Sequence, residues 1–519
     1  MSVPPPSMRG MYALARGVAI VGVRGRPVTV EAHIGRGLPA LHLTGLPGPA
    51  VQDARDRVRP AVENSGLEWP LRRVTVNLSP ADLRKEGPGF DLPIAVVVLA
   101  AMGQVPAERL SRYALAGELS LRGELVSTPG VLAIAAAAAR AGLGGVVVPS
   151  ANAAEARLVE GLDVVGASSL SEVAEFLRGR WHPGPVDSAS PPAPPEAPDL
   201  ADVRGQAHAR KALEVAAAGG HNVLLVGPPG AGKTMLARRL PSILPPPSRR
   251  EALEMTLLHS VAGLMSEGAG LLSHRPFRAP HHSVTPAGLL GGGAPLRPGE
   301  ASLAHHGVLF LDEVNEFRRD VLEGLRQPLE DGRLLIARAA RTVEFPARFT
   351  LVAAANPCPC GFEGERKRAC RCKPHVVQSY RHRLSGPLLD RIDIRVRMPR
   401  LTRTELMGTA TGESSGPVRE RVREARDRQL ARLERGRAHC NGEMTGAQAR
   451  RHADLTPSAE RELGKAVERY GLTGRGFDRL LKVSRTIADL GGSRRIEVVH
   501  MLEALTFRGE EALPEAGVA

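Results

Sequence analysis

A glycine-rich loop that follows an apolar strand carries the first recognisable chemistry of this sequence. The loop Gly227–Thr234 reads Gly-Pro-Pro-Gly-Ala-Gly-Lys-Thr and comes directly after Val223–Val226. In a loop of this type the backbone N–H groups curl around phosphates, the lysine reaches the β- and γ-phosphates, and the threonine binds Mg²⁺. We therefore expect the following residues to bind nucleotide: Gly227, Pro228, Pro229, Gly230, Ala231, Gly232, Lys233 and Thr234.

Two further apolar strands end in polar residues that suit phosphate hydrolysis. Val308–Leu311 is followed by Asp312 and Glu313. Asp312 suits the coordination sphere of Mg²⁺, and Glu313 suits the base that orients the attacking water. The strand Leu351–Ala355 ends in Asn356, whose amide either hydrogen-bonds the γ-phosphate or the water, or simply caps the strand. Together these residues predict an ATPase that uses ATP and Mg²⁺.

Two arginines are candidates for neutralising the charge that builds up on the γ-phosphate. Arg391 lies in the segment Ser-Gly-Pro-Leu-Leu-Asp-Arg. An arginine finger acts on the nucleotide of a neighbouring subunit and therefore implies a ring. The alternative is an intramolecular pair with Asp390 or Asp393. Arg475, in Thr-Gly-Arg-Gly, lies where a lid arginine would touch the nucleotide, and its alternative is an ordinary surface arginine.

Length, charge and hydropathy limit the class of protein. A chain of 519 residues is long enough for two to four domains, and a formal charge of +14 favours a nucleic-acid partner. Nearly all of the excess is arginine, which genomic base composition would also produce. The start of the chain has no secretory signal pattern, and its most apolar runs, Leu92–Met102 and Val131–Ala139, are too short to span a bilayer. We expect a cytoplasmic protein without a membrane partner.

The distribution of proline and of apolar periodicity divides the chain. Residues 183–199 are rich in proline and nearly devoid of large apolar residues, which predicts an extended linker. The linker separates a mixed α/β domain, residues 1–182, from an ATPase core at 200–400, where strands and helices alternate as in a parallel sheet. Residues 401–507 predict a helical lid domain, and 508–519 a frayed tail.

Several elements are specific enough to be predicted individually. A hairpin is expected from Val18–Val23 and Val28–Ile34 around a Gly-Arg-Pro turn. Helices are expected at Asp53–Asn64, Leu92–Met102 and Val131–Ala141. Strands are expected at Val74–Leu78 and Gly145–Pro149.

Four of the five cysteines form a cluster between residues 358 and 372. Cys358-Pro-Cys360 and Cys370-Arg-Cys372 flank the charged segment Gly361–Ala369. Four thiolates close a tetrahedral Zn²⁺ site, although the usual spacing is Cys-x-x-Cys. Free or redox-active thiols are the main alternative, and two disulfides are disfavoured in a reducing cytoplasm. Cys440 stands alone and is expected to be inert.

Beside the ATPase motifs, several further segments have recognisable sequences. They are Arg275–His282, Gly291–Gly293, Pro298–Glu300, Ala304–Glu313, Asn356–Gly361 and Ser385–Asp393. Through these segments the chain resembles a known family, the magnesium-chelatase-like AAA+ proteins of the ComM/YifB type. The resemblance covers nearly the whole chain and implies a hexameric DNA motor that promotes branch migration and DNA unwinding in recombination or natural transformation.

The N-terminal segments resemble the Lon-protease-like α+β domain of the same family, a fold also found in a ribosomal protein. These segments are Gly35–Pro39, Gly45–Pro47, Val76–Pro93 and Gly117–Glu124. A working Lon-type site needs a serine nucleophile activated by a lysine. Phe90-Asp91 stands where the serine is expected, and Thr128–Leu132 has an apolar residue where the lysine is expected. The resemblance therefore implies a proteolytically inactive scaffold or DNA-contacting platform.

Two segments are candidates for contact with DNA. Residues 268–307 exceed what a minimal AAA+ fold requires at this place and predict an inserted loop or hairpin that carries His281 and His282. A second hairpin is expected from Leu334–Ala337 and Thr342–Phe345, with Arg338 and Arg341 at its tip. The alternatives are a surface histidine pair without a role and a solvated basic turn.

Three functions follow from these residues and from what the family resemblance implies, in order of preference. The first is an ATP-driven homo-hexameric motor that acts on single-stranded or branched DNA. The second is an ATPase that remodels a protein or a metal-chelatase-type complex. The third, an ATP-dependent protease, is opposed by the missing serine and lysine.

Overall fold

The first half of the chain is built around a mixed sheet with a helical cover. The computed structural model describes residues 11–184, 198–293, 296–338, 341–365, 368–407, 412–433 and 438–508. Within this part, the sheet has seven strands in the order β3-β4-β2-β1-β5-β8-β9. The elements are β1 Tyr12–Val21, β2 Arg24–Gly35, β3 Ala40–Thr44, α1 Pro49–Gln52, α2 Ala54–Asn64, β4 Arg73–Ser79, α3 Asp91–Ala101, α4 Ala107–Leu110, β5 Tyr113–Leu115, β6 Glu118–Leu119, β7 Leu125–Val126, α5 Val131–Arg140, β8 Gly145–Pro149, α6 Ala153–Ala156, β9 Asp163–Ala167 and α7 Leu170–Arg178.

The middle of the chain forms a parallel sheet, and the glycine-rich loop follows one of its interior strands. In the described residues its strand order is β11-β14-β17-β10-β18. The elements are α8 Ala207–Gly219, β10 Val223–Val226, α9 Lys233–Ala237, α10 Leu240–Ile243, α11 Arg249–Ala262, β11 Phe277–Arg278, α12 Pro286–Leu290, β12 Gly291–Gly292, β13 Arg297–Pro298, α13 Glu300–Leu303, β14 Val308–Leu311, α14 Arg319–Gly324, α15 Arg326–Asp331, β15 Arg333–Arg338, β16 Arg341–Pro346, β17 Thr350–Ala355, α16 Pro374–Arg381, α17 Gly386–Leu389, β18 Ile394–Arg397 and α18 Arg403–Met407.

The described residues after 414 are organised as helices that pack against the parallel sheet. They are α19 Ser415–Leu433, α20 Gly446–His452, α21 Pro457–Tyr470, α22 Gly474–Leu490 and α23 Val498–Thr506. The apolar stripe of α19, with Val418, Val422 and Ala425 buried, shares one core with Val223 of β10 and with Leu480 of α22. Apolar residues at helical spacing explain this packing, since such a stripe has to be buried against a neighbour. None of the described helices is long and apolar enough to cross a membrane.

Most elements predicted from the sequence are confirmed, with boundaries that shift by one or two residues. The first hairpin is the exception, because its turn lies at Gly22 and Val23 rather than at Gly-Arg-Pro. Val21 pairs with Arg24, and Gly22 takes a φ of 61°. A two-residue hairpin turn requires a positive φ, which glycine adopts without strain. Pro27 consequently lies inside β2, opposite Val18.

The N-terminal half contacts the parallel-sheet region through helices α5 and α11. Ser260 of α11 accepts a hydrogen bond from the amide of Gly130 at 2.9 Å, and its hydroxyl donates to the buried carboxylate of Glu155. Glu155 also accepts from the amide of Leu132 at 2.9 Å. Both halves therefore supply donors to one buried carboxylate, which would be costly to leave unpaired.

The position at which the sequence lacks the expected serine is occupied by a buried ion pair. Asp91 is fully buried, and its carboxylate binds Arg57 through Nε at 2.9 Å and Nη2 at 3.1 Å. The amide of Leu119 donates a further hydrogen bond to Asp91 at 3.3 Å. Burial raises the pKa of Asp91, while the Arg57 guanidinium opposes this shift. This carboxylate fixes structure and offers no nucleophile of the serine type.

We predict that Asp91→Ala lowers the free energy of unfolding of the N-terminal half by about 3 kcal/mol, the lower end of the range for a broken buried pair. The lower end applies because Arg57 is one quarter exposed. Urea denaturation followed by tryptophan fluorescence measures this half selectively, since the two tryptophans are Trp69 and Trp181.

The matched control is Glu63→Ala, which removes the exposed pair with Arg59 and should cost less than about 0.5 kcal/mol. Equal shifts for both variants would contradict a structural role for the buried pair.

Candidate ATP site and its surroundings

The loop Gly227–Thr234 leaves the carboxyl end of β10, an interior strand of the five-stranded sheet. Strand β17 lies on one side of β10 and strand β18 on the other, with Val226 opposite Ala355 and Arg397. The amide of Gly227 donates to the carbonyl of Ala355 at 3.2 Å, which fixes the start of the loop. Gly230 and Gly232 have φ values of 79° and 89°, a region in which a side chain is strained.

The ammonium group of Lys233 is held at the centre of this loop. It donates to the carbonyls of Gly227 at 2.6 Å and Pro228 at 3.1 Å, and to Oδ1 of Asn356 at 3.0 Å. Burial lowers the pKa of Lys233, and the nearby carboxylates of Asp312 and Glu313 oppose this shift. Lysine and asparagine thus meet at the point where sequence reasoning placed the γ-phosphate.

Thr234 and Asp312 provide two adjacent oxygen ligands. The Thr234 hydroxyl donates to Oδ2 of Asp312 at 2.6 Å. A hydroxyl and a carboxylate are hard oxygen donors of the kind that Mg²⁺ prefers, and Mg²⁺ normally keeps part of its water shell and takes phosphate oxygens as well. The pair therefore fits an Mg²⁺-nucleotide site, in which Thr234 and Asp312 would hold the ion.

Glu313 is fixed by an unusual backbone conformation. Its φ is 50° and its ψ is 47°, and its amide donates to Oδ1 of Asp312 at 3.0 Å. A left-handed conformation in a residue other than glycine costs free energy and is concentrated at functional sites. The strain turns the chain sharply at the end of β14, immediately after the Mg²⁺ ligand.

The two candidate arginines meet at a carboxylate that the sequence did not single out. Arg391 binds Glu330 through Nη2 and the carbonyl of Pro387 through Nη1. Arg475 approaches the same Glu330 carboxylate at 3.9 Å. Among the described residues, Nε of Arg391 is buried without a hydrogen-bond partner, and neither arginine makes a hydrogen bond or ion pair to residues 227–234.

The intramolecular partners expected for Arg391 are engaged elsewhere. Asp390 lies 3.5 Å from Arg479, and the Asp393 carboxylate accepts a hydrogen bond from Nδ1 of His221 at 3.0 Å. The pairing of Arg391 with Asp390 or Asp393 is therefore replaced by the pair with Glu330. No sequence pattern signals Glu330, because it lies 61 positions away from Arg391 in the chain.

The two segments expected to contact DNA lie next to each other. An ideal Cβ on Gly291 of β12 would lie 2.9 Å from Cδ1 of Ile336 in β15. The hairpin β15–β16 has the predicted register, with Arg338 opposite Arg341. The side chains of these two arginines and the turn residues 339–340 lie outside the part of the chain that the structure describes.

His281 and His282 precede the β12–β13 hairpin in the chain. Their ring centroids are 4.0 Å apart, and His281 Nδ1 is 2.8 Å from the hydroxyl of Ser283. His281 is exposed, and His282 is partly covered by the edge of Phe317. The pair is accessible to a partner, and its role stays a prediction.

The four clustered cysteines converge on one point. The Sγ atoms of Cys358 and Cys360 are 3.3 Å apart, and each lies 3.6 Å from Sγ of Cys370. Together with Cys372, all four sulfurs lie within 4.8 Å of one another. The thiols are free, as these separations are far beyond the length of a disulfide bond, about 2.05 Å. The alternative of two disulfides is not what the structure shows.

A second histidine pair was missed by sequence reasoning. His305 and His306 both contact Oε2 of Glu254 in α11, at 3.3 Å and 2.9 Å. The amide of Arg348 donates to Nδ1 of His305 at 2.9 Å, so the neutral ring carries its proton on Nε2, facing the carboxylate. This tautomer leaves no lone pair for a metal ion. Burial lowers the pKa of His305 to about 4, and the cluster acts as a clamp between α11 and β14.

Gln206 is another residue that no motif indicated. It has a φ of 53°, and its amide donates to the carbonyls of Ala231 at 3.3 Å and Pro399 at 2.7 Å. The side chain therefore bridges the glycine-rich loop and the end of β18. A positive φ outside glycine is the only local signal, and it appears only in the structure.

In this parallel sheet a glycine-rich loop follows β10, an asparagine follows the neighbouring strand β17, and an acidic pair follows β14 beyond it. This arrangement defines a P-loop ATPase. The comparisons with known proteins agree. The family model described as "Magnesium chelatase, subunit ChlI" matches residues 199–406. "Subunit ChlI of Mg-chelatase" matches residues 30–152, and "Magnesium chelatase, subunit ChlI C-terminal" matches residues 412–508.

Relatives that align with nearly the whole chain identify the family within the P-loop ATPases. The protein YifB of Escherichia coli is 43% identical over 95% of this chain and 96% of its own length. Competence protein ComM of Haemophilus influenzae is 43% identical over 94% of this chain and 96% of its own length. The chain belongs to the ComM/YifB-type magnesium-chelatase-like family of AAA+ ATPases.

A weaker similarity connects the chain to a protease. Lon protease of Geobacter metallireducens is 26% identical over 35% of this chain and 23% of its own length. The buried pair of Asp91 and Arg57 occupies the place where the sequence comparison expected the nucleophile. These residues provide no serine nucleophile, so they give no support to proteolysis.

We predict that Glu313→Gln retains ATP binding and slows hydrolysis by roughly a hundredfold or more, since a positioned general base contributes about 10²–10⁴-fold. Steady-state phosphate release, measured beside binding of a fluorescent ATP analogue, separates the two effects. Lys233→Ala is the comparison variant, because loss of its ammonium should abolish binding itself. Hydrolysis by Glu313→Gln at the wild-type rate would remove Glu313 from the catalytic role.

Proposed function

We propose that this protein is an ATP-driven ring motor that moves single-stranded or branched DNA during recombination or natural transformation. The observation that carries the proposal is the adjacency of the hairpin β15–β16 and the β12–β13 segment, joined at Gly291 and Ile336. Each forms a two-stranded sheet separate from the five-stranded ATPase sheet, and one bears Arg338 and Arg341 at its turn. The formal charge of +14 and the relative named Competence protein ComM support the same conclusion.

Coupling between these hairpins and the nucleotide site has a short physical route. Strand β16 is followed by Arg348, whose amide binds His305, and His305 precedes the strand β14 that delivers Asp312 and Glu313. His306 extends the connection, because its amide donates to the carbonyl of Arg348 at 2.6 Å. A shift of the hairpin is thereby passed to the start of the strand that positions the acidic pair.

The position of Arg391 supports a ring in this proposal. The side chain is nearly buried against Glu330, its Nε lacks a partner among the described residues, and Arg475 stands beside it. An arginine that serves a nucleotide must reach phosphate oxygens with its donors, and a neighbouring subunit is the natural source of that nucleotide. Glu330 would hold Arg391 in place until the neighbour presents ATP. A homo-hexamer is the assembly that the family resemblance implies.

The N-terminal half acts as a scaffold in this proposal, corresponding to a Lon-like domain at residues 1–182 ahead of the linker 183–199. It contacts the ATPase region at two places. One is the hydrogen bond between Ser260 and Glu155, and the other is the turn at Gly22. An ideal Cβ on Gly22 would lie 2.7 Å from Val343 of β16, so the first hairpin supports the hairpin proposed to contact DNA. The division continues with an ATPase core at 200–400 and a helical lid at 401–507.

We predict that Arg391→Ala leaves ATP binding nearly intact and reduces hydrolysis by on the order of a thousandfold, in the range reported for arginine fingers. Mixing Arg391→Ala with Lys233→Ala subunits should restore part of the activity, because each subunit supplies what the other lacks. Phosphate release is measured in the mixture after assembly is verified by light scattering. Mixed assemblies that remain as inactive as the separate variants would count against action between subunits.

We predict that branched or single-stranded DNA stimulates the ATPase and that DNA binding weakens steeply with salt. The double variant Arg338→Glu, Arg341→Glu should lower the log–log salt slope by roughly 0.7–0.9 for each lost phosphate contact and uncouple hydrolysis from DNA. Fluorescence anisotropy at several salt concentrations measures the slope.

The control for this experiment is Arg419→Glu, Arg461→Glu, two exposed residues of the C-terminal helices, which changes the net charge equally. If both double variants alter the slope alike, the hairpin has no specific role. If wild-type protein with ATP at low salt neither binds DNA nor is stimulated by it, the remodelling of a protein or metal-chelatase-type complex becomes the better proposal.

A further inference from the structure

The cysteine loop, defined here as residues 358–365 and 368–372, contacts the ATP-binding loop directly. An ideal Cβ on Gly361 would lie 2.4 Å from Cδ and 2.8 Å from Cγ of Pro229. Gly361 has a φ of 80° and directly follows Cys360, which places it between the thiol cluster and the glycine-rich loop. The contact leaves no room for a side chain at this position.

The same loop is joined to the ATP site by its first residues. Asn356, which accepts a hydrogen bond from Lys233 at 3.0 Å, is separated from Cys358 only by Pro357. Cys358 is fully buried, and the carbonyl of Pro357 is held by Nε of Arg381 at 3.5 Å. The position of the Asn356 amide therefore depends on where the cysteine loop begins.

The outer side of the loop is fixed to the end of strand β18. Glu365 lies 3.4 Å from Arg400, and the guanidinium carbon of Arg400 lies 5.2 Å from the centre of the Phe362 ring. Glu363 forms an ion pair with Arg381 at 2.6 Å. Exposed pairs of this kind contribute little free energy, generally below about 1 kcal/mol each. They orient the loop, and a stronger constraint is needed to hold it together.

The sulfur positions fit a tetrahedral metal site. With Zn–S bonds of about 2.3 Å, neighbouring sulfurs of a tetrahedron lie about 3.8 Å apart. The observed separations of 3.3 Å and 3.6 Å are close to this value. The amide of Cys372 also donates to Sγ of Cys370 at 3.4 Å, a hydrogen bond that stabilises a thiolate.

We propose that Cys358, Cys360, Cys370 and Cys372 bind one Zn²⁺, and that the zinc-loaded loop forms a wall of the ATP site. The metal cross-links the two ends of the cysteine loop, the loop supports Pro229 through Gly361, and it fixes Asn356 beside Lys233. Zinc occupancy thereby sets the affinity for nucleotide within the same subunit. The inference rests on the nucleotide site alone and is independent of the partner on which the motor acts.

The first test compares zinc content and nucleotide affinity. Wild-type protein should contain about one zinc per chain by elemental analysis, as a single four-thiolate site requires. Cys372→Ser should lose the metal and bind a fluorescent ATP analogue at least tenfold more weakly. Cys440→Ser, which changes a buried cysteine of the C-terminal helices, should alter neither quantity.

Removal and return of the metal makes the test independent of misfolding in the variant. A zinc chelator applied to folded wild-type protein should lower the nucleotide affinity, and added Zn²⁺ should restore it. Protein that has no zinc and four titratable thiols after growth and purification with zinc overturns the metal site. Loss of zinc without a change in nucleotide affinity would contradict the proposal that the zinc-loaded loop forms a wall of the ATP site.

A glycine variant distinguishes the effect of the loop's contact with Pro229 from the effect of the metal. Gly361→Ala keeps all four thiolates and should keep the zinc, but its methyl group meets Pro229 and should weaken nucleotide binding several-fold. Gly142→Ala is the matched control, because Gly142 has a φ of 70° and an added Cβ would meet nothing within 4 Å. Lys233→Ala, with zinc retained and binding lost, tests the nucleotide site itself. Equal nucleotide affinities of Gly361→Ala and Gly142→Ala would contradict a role of the contact between Gly361 and Pro229 in nucleotide binding.

Discussion

The arrangement of the ATP site depends on the hydrogen bonds that the ammonium group of Lys233 donates. They join the carbonyls of the glycine-rich loop after β10 to the amide of Asn356 after β17. A partly buried ammonium needs acceptors for its protons, and their loss would leave a desolvated charge. The two neighbouring strands are therefore held in register at their ends, where the nucleotide has to bind.

Other constraints converge on the same edge of the sheet. Thr234 binds Asp312 across to β14, and Gln206 connects Ala231 to the end of β18. Each contact ties the glycine-rich loop to a different segment of the chain. The loop is thus shaped before nucleotide arrives, which reduces the ordering cost of binding. Gly361 adds a fourth attachment, and it is the one that brings the cysteine cluster into the function of the site.

A polar cluster at the other end of the sheet connects several parts of the molecule. The clamp formed by Glu254, His305 and His306 links α11 to β14, and the amide of Arg348 ties the end of the hairpin β15–β16 to the same histidines. Helix α11 in turn carries Ser260, which binds the N-terminal half. One small polar cluster therefore lies between the scaffold, the hairpin and the acidic pair. The His305 side chain in this cluster is buried, which strengthens its hydrogen bonds electrostatically.

The sequence alone located the strands that carry the candidate ATP site. The strand before Gly227, the strand before Asp312 and the strand before Asn356 were all located correctly, because continuous apolar runs bounded by polar residues have one consistent interpretation in a parallel sheet. Parallel strands also expose their carboxyl ends on the same edge, so residues at these ends were expected to meet. The sequence likewise indicated the cysteine cluster from residue type and spacing.

Only the tertiary structure decided the partners of these residues. Glu330 is the partner of Arg391, Gly361 supports Pro229, and Arg348 selects the tautomer of His305. Each of these contacts joins segments that are distant in the chain or depends on a backbone direction. Contacts of these two kinds leave no periodic pattern in the sequence. The turn of the first hairpin was misplaced for a related reason, since a glycine at residue 22 and a Gly-Arg-Pro segment both suit a turn and only strand pairing separates them. Residue type determines which chemistry a side chain can perform. The packing of remote segments determines which group becomes its partner.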